Sequence, residues 1–263
     1  MRGISSSPCG CSPGRISTPF GGAASGLWPA GKSEPTSPIP APLPPNCQVA
    51  SIFADCFGGC SGTISPASPG PICGWTFTTA FGPFDGSIVF SPGEMALRGT
   101  ADAAPGATKP LFVPLTSINN ITGQFSFTEF QIPPGSGESY FFFISSIDGS
   151  QGLILSLDDS GNVLLQVGPT ILAPSYMGAW SPNNGSHKVH FSVDPAGVPI
   201  LFIDGISIPL VLTAFGPSII SSLPTNSVAI LNFIFTGTGI TSSYRNAFIA
   251  SGVIGPDAVF CCP

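Results

Sequence analysis

The residues able to do chemistry are few, and their spacing excludes most of the reactions they could serve. Retaining glycoside hydrolysis needs two carboxylates about 5–5.5 Å apart. The chain has four glutamates, Glu34, Glu94, Glu129 and Glu138, and none has an acidic residue two positions away. Asp158 and Asp159 are adjacent, so on a strand they face opposite sides. With Ser160 and Gly161 they read as a hairpin turn. His187 and His190 are the only histidines, and three positions apart on a strand they cannot face one metal. No G-x-S-x-G elbow supports a Ser-His-Asp triad. No catalytic site is predicted, and the chain is expected not to be an enzyme.

Metal and cofactor chemistry fares no better. Calcium takes six to eight oxygens, often several from one loop. Asp148, Asp158, Asp159, Asp194 and Asp204 lie near turns, but no D-x-D-x-D-G loop gathers them, and each also suits a turn-capping role. The cysteines are Cys9, Cys11, Cys47, Cys56, Cys60, Cys73, Cys261 and Cys262, an even number gathered towards the two ends. Disulfides in an oxidising compartment account for that count. The alternatives are reduced thiols, or zinc at Cys47, Cys56, Cys60 and Cys73, whose C-x8-C-x3-C-x12-C spacing lacks tight CxxC pairs. No cofactor and no metal site is predicted. Sequons occur at Asn120 and Asn184.

Charge is the strongest compositional signal. Only 8% of the 263 residues are charged, against roughly 25% in an ordinary soluble domain. Seven Lys plus Arg and a net charge of −6 leave no cationic cluster to displace counterions, which excludes nucleic acid as a partner. The most apolar stretch, Gly197 to Ile220, contains Pro199, Pro209, Gly216 and Pro217. A spanning helix of about 20 residues would break there, so no membrane span is predicted. Met1 to Gly22 has no apolar h-region.

The elements that must position these residues are short strands. Residues 1–46 hold ten prolines and read as an extended Pro/Gly-rich arm, with Ile16, Phe20, Leu27 and Trp28 as its apolar contacts. Residues 47–74 form a cysteine-rich segment expected to pack on the domain that follows, 75–263. There, strands are predicted at 86–91, 95–98, 111–115, 123–132, 139–147, 152–158, 162–167, 187–194, 198–204, 206–213, 227–236 and 246–254. Phe125 and Phe127, and Val189, Phe191 and Val193, alternate with period two. Many short strands at even spacing predict an all-β fold, an antiparallel two-sheet jelly-roll sandwich.

From Trp180 to Leu210 the chain reads WSPNNGSHKVHFSVDPAGVPILFIDGISIPL. This tryptophan, H-K-V strand, glycine turn and Asp204-Gly205 hairpin resemble the laminin-G-like, concanavalin-A-like sandwich family, with Phe202 where that family often has tyrosine. Gly152 to Val167 resembles the family's paired strands, and His187 matches its structural histidine. The resemblance covers about residues 75–260. It implies first and last strands lying side by side, and hence at least one disulfide from Cys261 or Cys262 to the Cys47–Cys73 region.

Scarce charge, the arm and the uninterrupted Tyr140–Ile144 run lead to one expectation. The chain should be a self-assembling structural subunit of an extracellular filament or virion (coat, fibre or appendage), its partners copies of itself. Neighbouring copies would cover strands that otherwise risk aggregation. The location expected is extracellular or on a virion surface. The alternative is a carbohydrate-binding lectin or adhesion module, with Trp75, Trp180 and Tyr176 as candidate aromatic platforms for a glycan, although Trp180 reads better as a core residue.

Overall fold

The computed structural model describes residues 47–78, 86–99, 105–129, 139–158, 160–181, 185–214, 224–233 and 240–261. The arm residues Ile16, Phe20, Leu27 and Trp28, together with Cys9, Cys11 and Cys262, lie outside them. All regular structure among the described residues is β. The strands are β1 (Cys47–Val49), β2 (Phe53–Asp55), β3 (Gly62–Ile64), β4 (Thr76–Phe77), β5 (Ser87–Ser91), β6 (Glu94–Gly99) and β7 (Gly106–Pro110). Then follow β8 (Ile121–Glu129), β9 (Ser139–Ser145), β10 (Gln151–Asp158), β11 (Asn162–Pro169), β12 (Ser175–Ala179) and β13 (Ser186–Val193). The last are β14 (Pro199–Ile203), β15 (Ile206–Ser207), β16 (Val211–Leu212), β17 (Ser227–Phe233), β18 (Ile240–Ser251) and β19 (Val259–Cys261).

Two antiparallel sheets make the sandwich. One runs β16-β12-β11-β10-β9-β17-β7-β4; the other runs β15-β14-β13-β8-β18-β6-β5-β3, with β2 also paired to β18. The period-two alternation explains the layering. Leu153, Leu155 and Leu157 of β10 pair with Val167, Leu165 and Val163 of β11, and all six are buried. Across the core, Phe125, Phe127, Val189 and Phe191 project from β8 and β13. Phe125 stacks on Phe142 of β9 at 4.7 Å between ring centroids, directly linking the sheets. Gly123 sits under Phe191, where a Cβ would lie 2.1 Å from the ring, so that ring fixes the glycine.

Two predicted strands are corrected by proline. Residues 111–115 form a loop between β7 and β8: Pro114 has no N–H to donate, so no ladder can run through it. Residues 206–213 split around Pro209 into β15 and β16, which join different sheets. Seven short strands were not predicted: β1, β2, β3, β4, β7, β12 and β19. The Asp204-Gly205 hairpin forms as its sequence implies, with φ of +53° and +79° at the two turn residues.

The cysteine-rich segment supplies strands to one sheet, through β2 to β18 and β3 to β5, and β4, just beyond it, pairs with β7 of the other. β1 runs parallel to β19, and Cys47 is disulfide-bonded to Cys261 across 214 residues of sequence. Cys60 bonds Cys73, and Cys56 is also disulfide-bonded. In the chain-entropy model, closing so long a loop contributes about 5 kcal/mol. Cys261→Ser should therefore lose about 2–5 kcal/mol of stability, read as a lower urea midpoint under non-reducing conditions, with reductant erasing the difference from wild type.

Candidate functional site

The register collects one set of loops at one end of the sandwich. Ile121 pairs with both Val193 and Ser251, Pro110 pairs with Ser227, and Gln151 pairs with Pro169. Loops 111–120, 146–150, 170–174, 194–198, 224–226 and 252–254 therefore share this end. Backbone hydrogen bonds lace them together. Ile147 N donates to Leu115 O at 2.7 Å, Thr170 N to Ser150 O at 3.0 Å and Asn120 N to Asp194 O at 3.3 Å. Leu111 N donates to Asn226 O, and Asn226 N to Ser146 O, both at 2.9 Å.

Two groups in this crown can meet a ligand. Phe112 is 54% exposed. One face of its ring stacks on Phe53 at 5.6 Å, and its amide donates to Ile52 O at 3.0 Å, so the aromatic surface is held in place. Asp148 is exposed, and its Oδ1 accepts from Ser146 Oγ at 2.8 Å, Ser150 N at 2.9 Å and Ser150 Oγ at 2.7 Å. Hydrogen bonds from the Ser150 backbone and hydroxyl, then from Ser146, hold its carboxyl down at about 2. The crown thus presents a fixed aromatic ring and a carboxylate that stays ionised well into acid.

The other predicted residues are placed differently. Trp75 is fully buried, and Trp180 nearly so, donating its Nε1–H to Asp158 O at 3.0 Å. Tyr176 packs against the core. Trp180 thus sits in the core, as its alternative reading has it, and neither Trp75 nor Tyr176 offers the open platform expected of it. Asp158 caps its own hairpin, accepting from Ser160 N and Asn162 N, and Asp194 does the same for Ala196 N and Val198 N. The His187 ring is buried against Phe127 and Trp180, and its Nδ1 lies 2.8 Å from Oδ2 of the exposed Asp204. His190 points to the opposite face. Among the described residues, no three of His, Cys, Asp and Glu come together to hold a metal.

Sequence reasoning missed two arrangements. The first is a buried carboxylate. Asp55 Oδ2 accepts from Trp75 Nε1 and Lys109 Nζ, each at 2.7 Å, while Oδ1 accepts from Phe57 N at 2.7 Å. The second is a strap, residues 252–258, laid across the outer face of the β8–β13–β18 sheet. Thr122 Oγ1 donates to Gly252 O at 2.7 Å and accepts from Ile254 N at 2.9 Å. His190 Nε2 lies 2.9 Å from Ile254 O, and Lys188 Nζ donates to Pro256 O at 3.3 Å. Because Nε2 must donate to a carbonyl, Nδ1 of neutral His190 is an acceptor. Among the described residues it has no partner, and neither does Gln124 Oε1 from the facing residue of β8. Alternation of polar residues on β13 was the available signal.

No protein-family model matches the chain, and no curated protein matches it. Solved structures similar to it include the botulinum neurotoxin type G receptor binding domain, at 11% identity and a TM-score of 0.45, over 80% of this chain and 45% of that one. The chain thus spans less than half of that domain's length. The carbohydrate recognition domain of Emp47p matches at 10% identity and a TM-score of 0.49, over 74% of this chain and 95% of the other. The carbohydrate binding module CBM66 from Bacillus subtilis matches at 14% and 0.42, over 68% and 96%. These structures are named as binding domains, and the expected self-assembling subunit, which finds no support among them, is corrected. The physical reason agrees. In the run that seemed to need neighbouring copies, Phe142, Phe143 and Ile144 are already buried within one chain.

Two predictions test these contacts. Asp55→Ala should cost about 3–5 kcal/mol, because it strands Lys109 and a buried indole N–H. Asp55→Asn should cost about 1–3 kcal/mol, since its amide oxygen still accepts from Trp75; denaturant titration distinguishes the two. Burial pushes His190 below the ordinary histidine value, Lys188 adds to this, and the bond to Ile254 O and the charge of Asp257 oppose it. A lowered histidine favours the folded state above pH about 6.5. Stability should fall as pH drops through that value, and His190→Gln should flatten the slope in pH-resolved thermal melts.

Proposed function

We propose that this chain is a carbohydrate-binding lectin or adhesion module of the laminin-G-like type. It acts outside the cell, without catalysis and without a cofactor, and its ligand contacts come from the loop crown. The observation that carries this reading is the pairing, on one laced loop end, of the fixed and open Phe112 ring with the ionised Asp148 carboxylate. A sugar ring has an apolar face of C–H groups that packs on an aromatic surface, and hydroxyls that donate to a carboxylate. Asp148 keeps Oδ2 for that purpose while Oδ1 is engaged by its own turn. Disulfides at Cys47–Cys261 and Cys60–Cys73 support an oxidising, extracellular setting.

Glycan-array screening of the purified monomer tests the proposal. A sugar ligand should be found, and Phe112→Ala and Asp148→Asn should each weaken it at least tenfold, about 1.4 kcal/mol, without lowering the melting temperature by more than about 2 °C. Binding should hold constant between pH 7 and pH 4, because the carboxylate titrates only near 2. An array with no specific glycan, or a ligand indifferent to both substitutions, would defeat it.

A further inference from the structure

One sequon sits where the fold treats its two halves in opposite ways. Asn120-Ile121-Thr122 is the Asn-X-Thr pattern that accepts an N-linked glycan. Asn120 is exposed at the entry to β8, in a left-handed backbone with φ +60°, which asparagine tolerates. Its backbone is fixed from both sides: the N–H donates to Asp194 O at 3.3 Å, and the carbonyl accepts from Gly252 N at 2.7 Å. An exposed side chain on a fixed turn can carry a bulky sugar without disturbing the strands behind it.

Thr122 is placed the other way. It is fully buried, and its Oγ1 donates to Gly252 O at 2.7 Å and accepts from Ile254 N at 2.9 Å. A transferase has to read the hydroxyl as well as the asparagine, so the folded chain hides half of the signal. The strap residues that hide it lie 130 and 132 positions downstream. Synthesis runs from the N-terminus, so the strap cannot close over Thr122 until residues 123–251 have been made. The signal is open on the nascent chain and shut on the finished one. The other sequon, at Asn184, lies outside the described residues.

We propose that Asn120 carries an N-linked glycan, added during synthesis before the strap buries Thr122. In that step Asn120 Nδ2 bonds to the anomeric carbon of a lipid-pyrophosphate-linked oligosaccharide. The bond from that carbon to the pyrophosphate oxygen breaks, the lipid pyrophosphate leaves with the electron pair, and Nδ2 gives up one proton. Val198 and Val253 are exposed on the two loops bonded to Asn120. A hydrated sugar beside them supplies solubility to a chain in which only 8% of residues are charged. The inference rests on the extracellular reading, which takes the chain through an oxidising secretory compartment. It does not rest on the sugar contacts of Phe112 and Asp148.

Secretion of the full chain from a eukaryotic cell line, behind a cleavable leader, provides the test. Peptide:N-glycosidase F should lower the intact mass, and peptide mapping should find Asn120 converted to aspartate. Asn120→Gln and Thr122→Ala should each lose this glycan, while Thr122→Ser, which keeps the hydroxyl, should retain it. Chain made without sugar should accept it from solubilised microsomal transferase and its lipid-linked donor when reduced and unfolded, and should fail to do so when oxidised and folded. A bare Asn120 in secreted, disulfide-bonded chain would overturn the inference and leave the extracellular reading standing. A glycan on Asn184 alone, or a folded chain modified as readily as the unfolded one, would also overturn it. Free thiols at Cys47 and Cys261 in the secreted chain would count against the extracellular reading instead, whatever Asn120 carries.

Discussion

The Asp55 carboxylate is the tie on which the rest of this structure depends. A carboxylate is stable in a nearly dry site only if its lone pairs are met by donors. Asp55 meets three, and each comes from a different stretch of chain: Phe57 beside it, Trp75 just after the cysteine-rich segment, and Lys109 on β7. Phe53 and Phe57 close around the same indole, with ring centroids 6.1 and 5.9 Å away. One small polar cluster therefore fastens the cysteine-rich segment to both sheets. It also seats the Phe53 ring on which Phe112 rests, so the order of the crown is inherited from this buried ion pair.

A chain with so few charges uses them sparingly and locally. Asp148, Asp158 and Asp194 each fold a turn back onto its own amides. Asp204 holds both the His187 ring and the Lys188 amide, which locks the β14–β15 hairpin to β13. Arg245 and Glu94 bridge β18 and β6 at the surface. Carboxylates that shape turns leave the loop tips free to present apolar side chains, and the crown shows that division of labour.

Much of the sandwich was legible in advance because its signals are local. The period-two runs of β8, β10, β11 and β13 announce which face turns inward, and Asp204-Gly205 announces its hairpin. The short strands were hidden. β2 and β4 have three and two residues, too few for a period to show, and they exist because partners distant in sequence complete them. The loop at 111–115 reads as a strand because Leu111, Phe112 and Val113 form a short apolar run, yet Pro114 denies it a ladder. The crown was invisible for a related reason. Phe112 and Asp148 lie far apart in sequence, and only the register of β7, β9 and β17 brings their loops to the same end. Trp75 and Trp180 drew attention by residue type, and burial removed them.

The Cys47–Cys261 bond changes what a cut would do to this molecule. Every described loop after Cys47, the crown included, falls inside one covalent ring closed by that bond. A protease that nicks the exposed β11–β12 tip opens the ring without separating the pieces. The two fragments stay one particle, held by sulfur and, among the described residues, by the eight strand pairings that cross the cut. Damage at the working end is thereby uncoupled from loss of the body. A reducing environment would leave the nicked pieces held by non-covalent pairing alone.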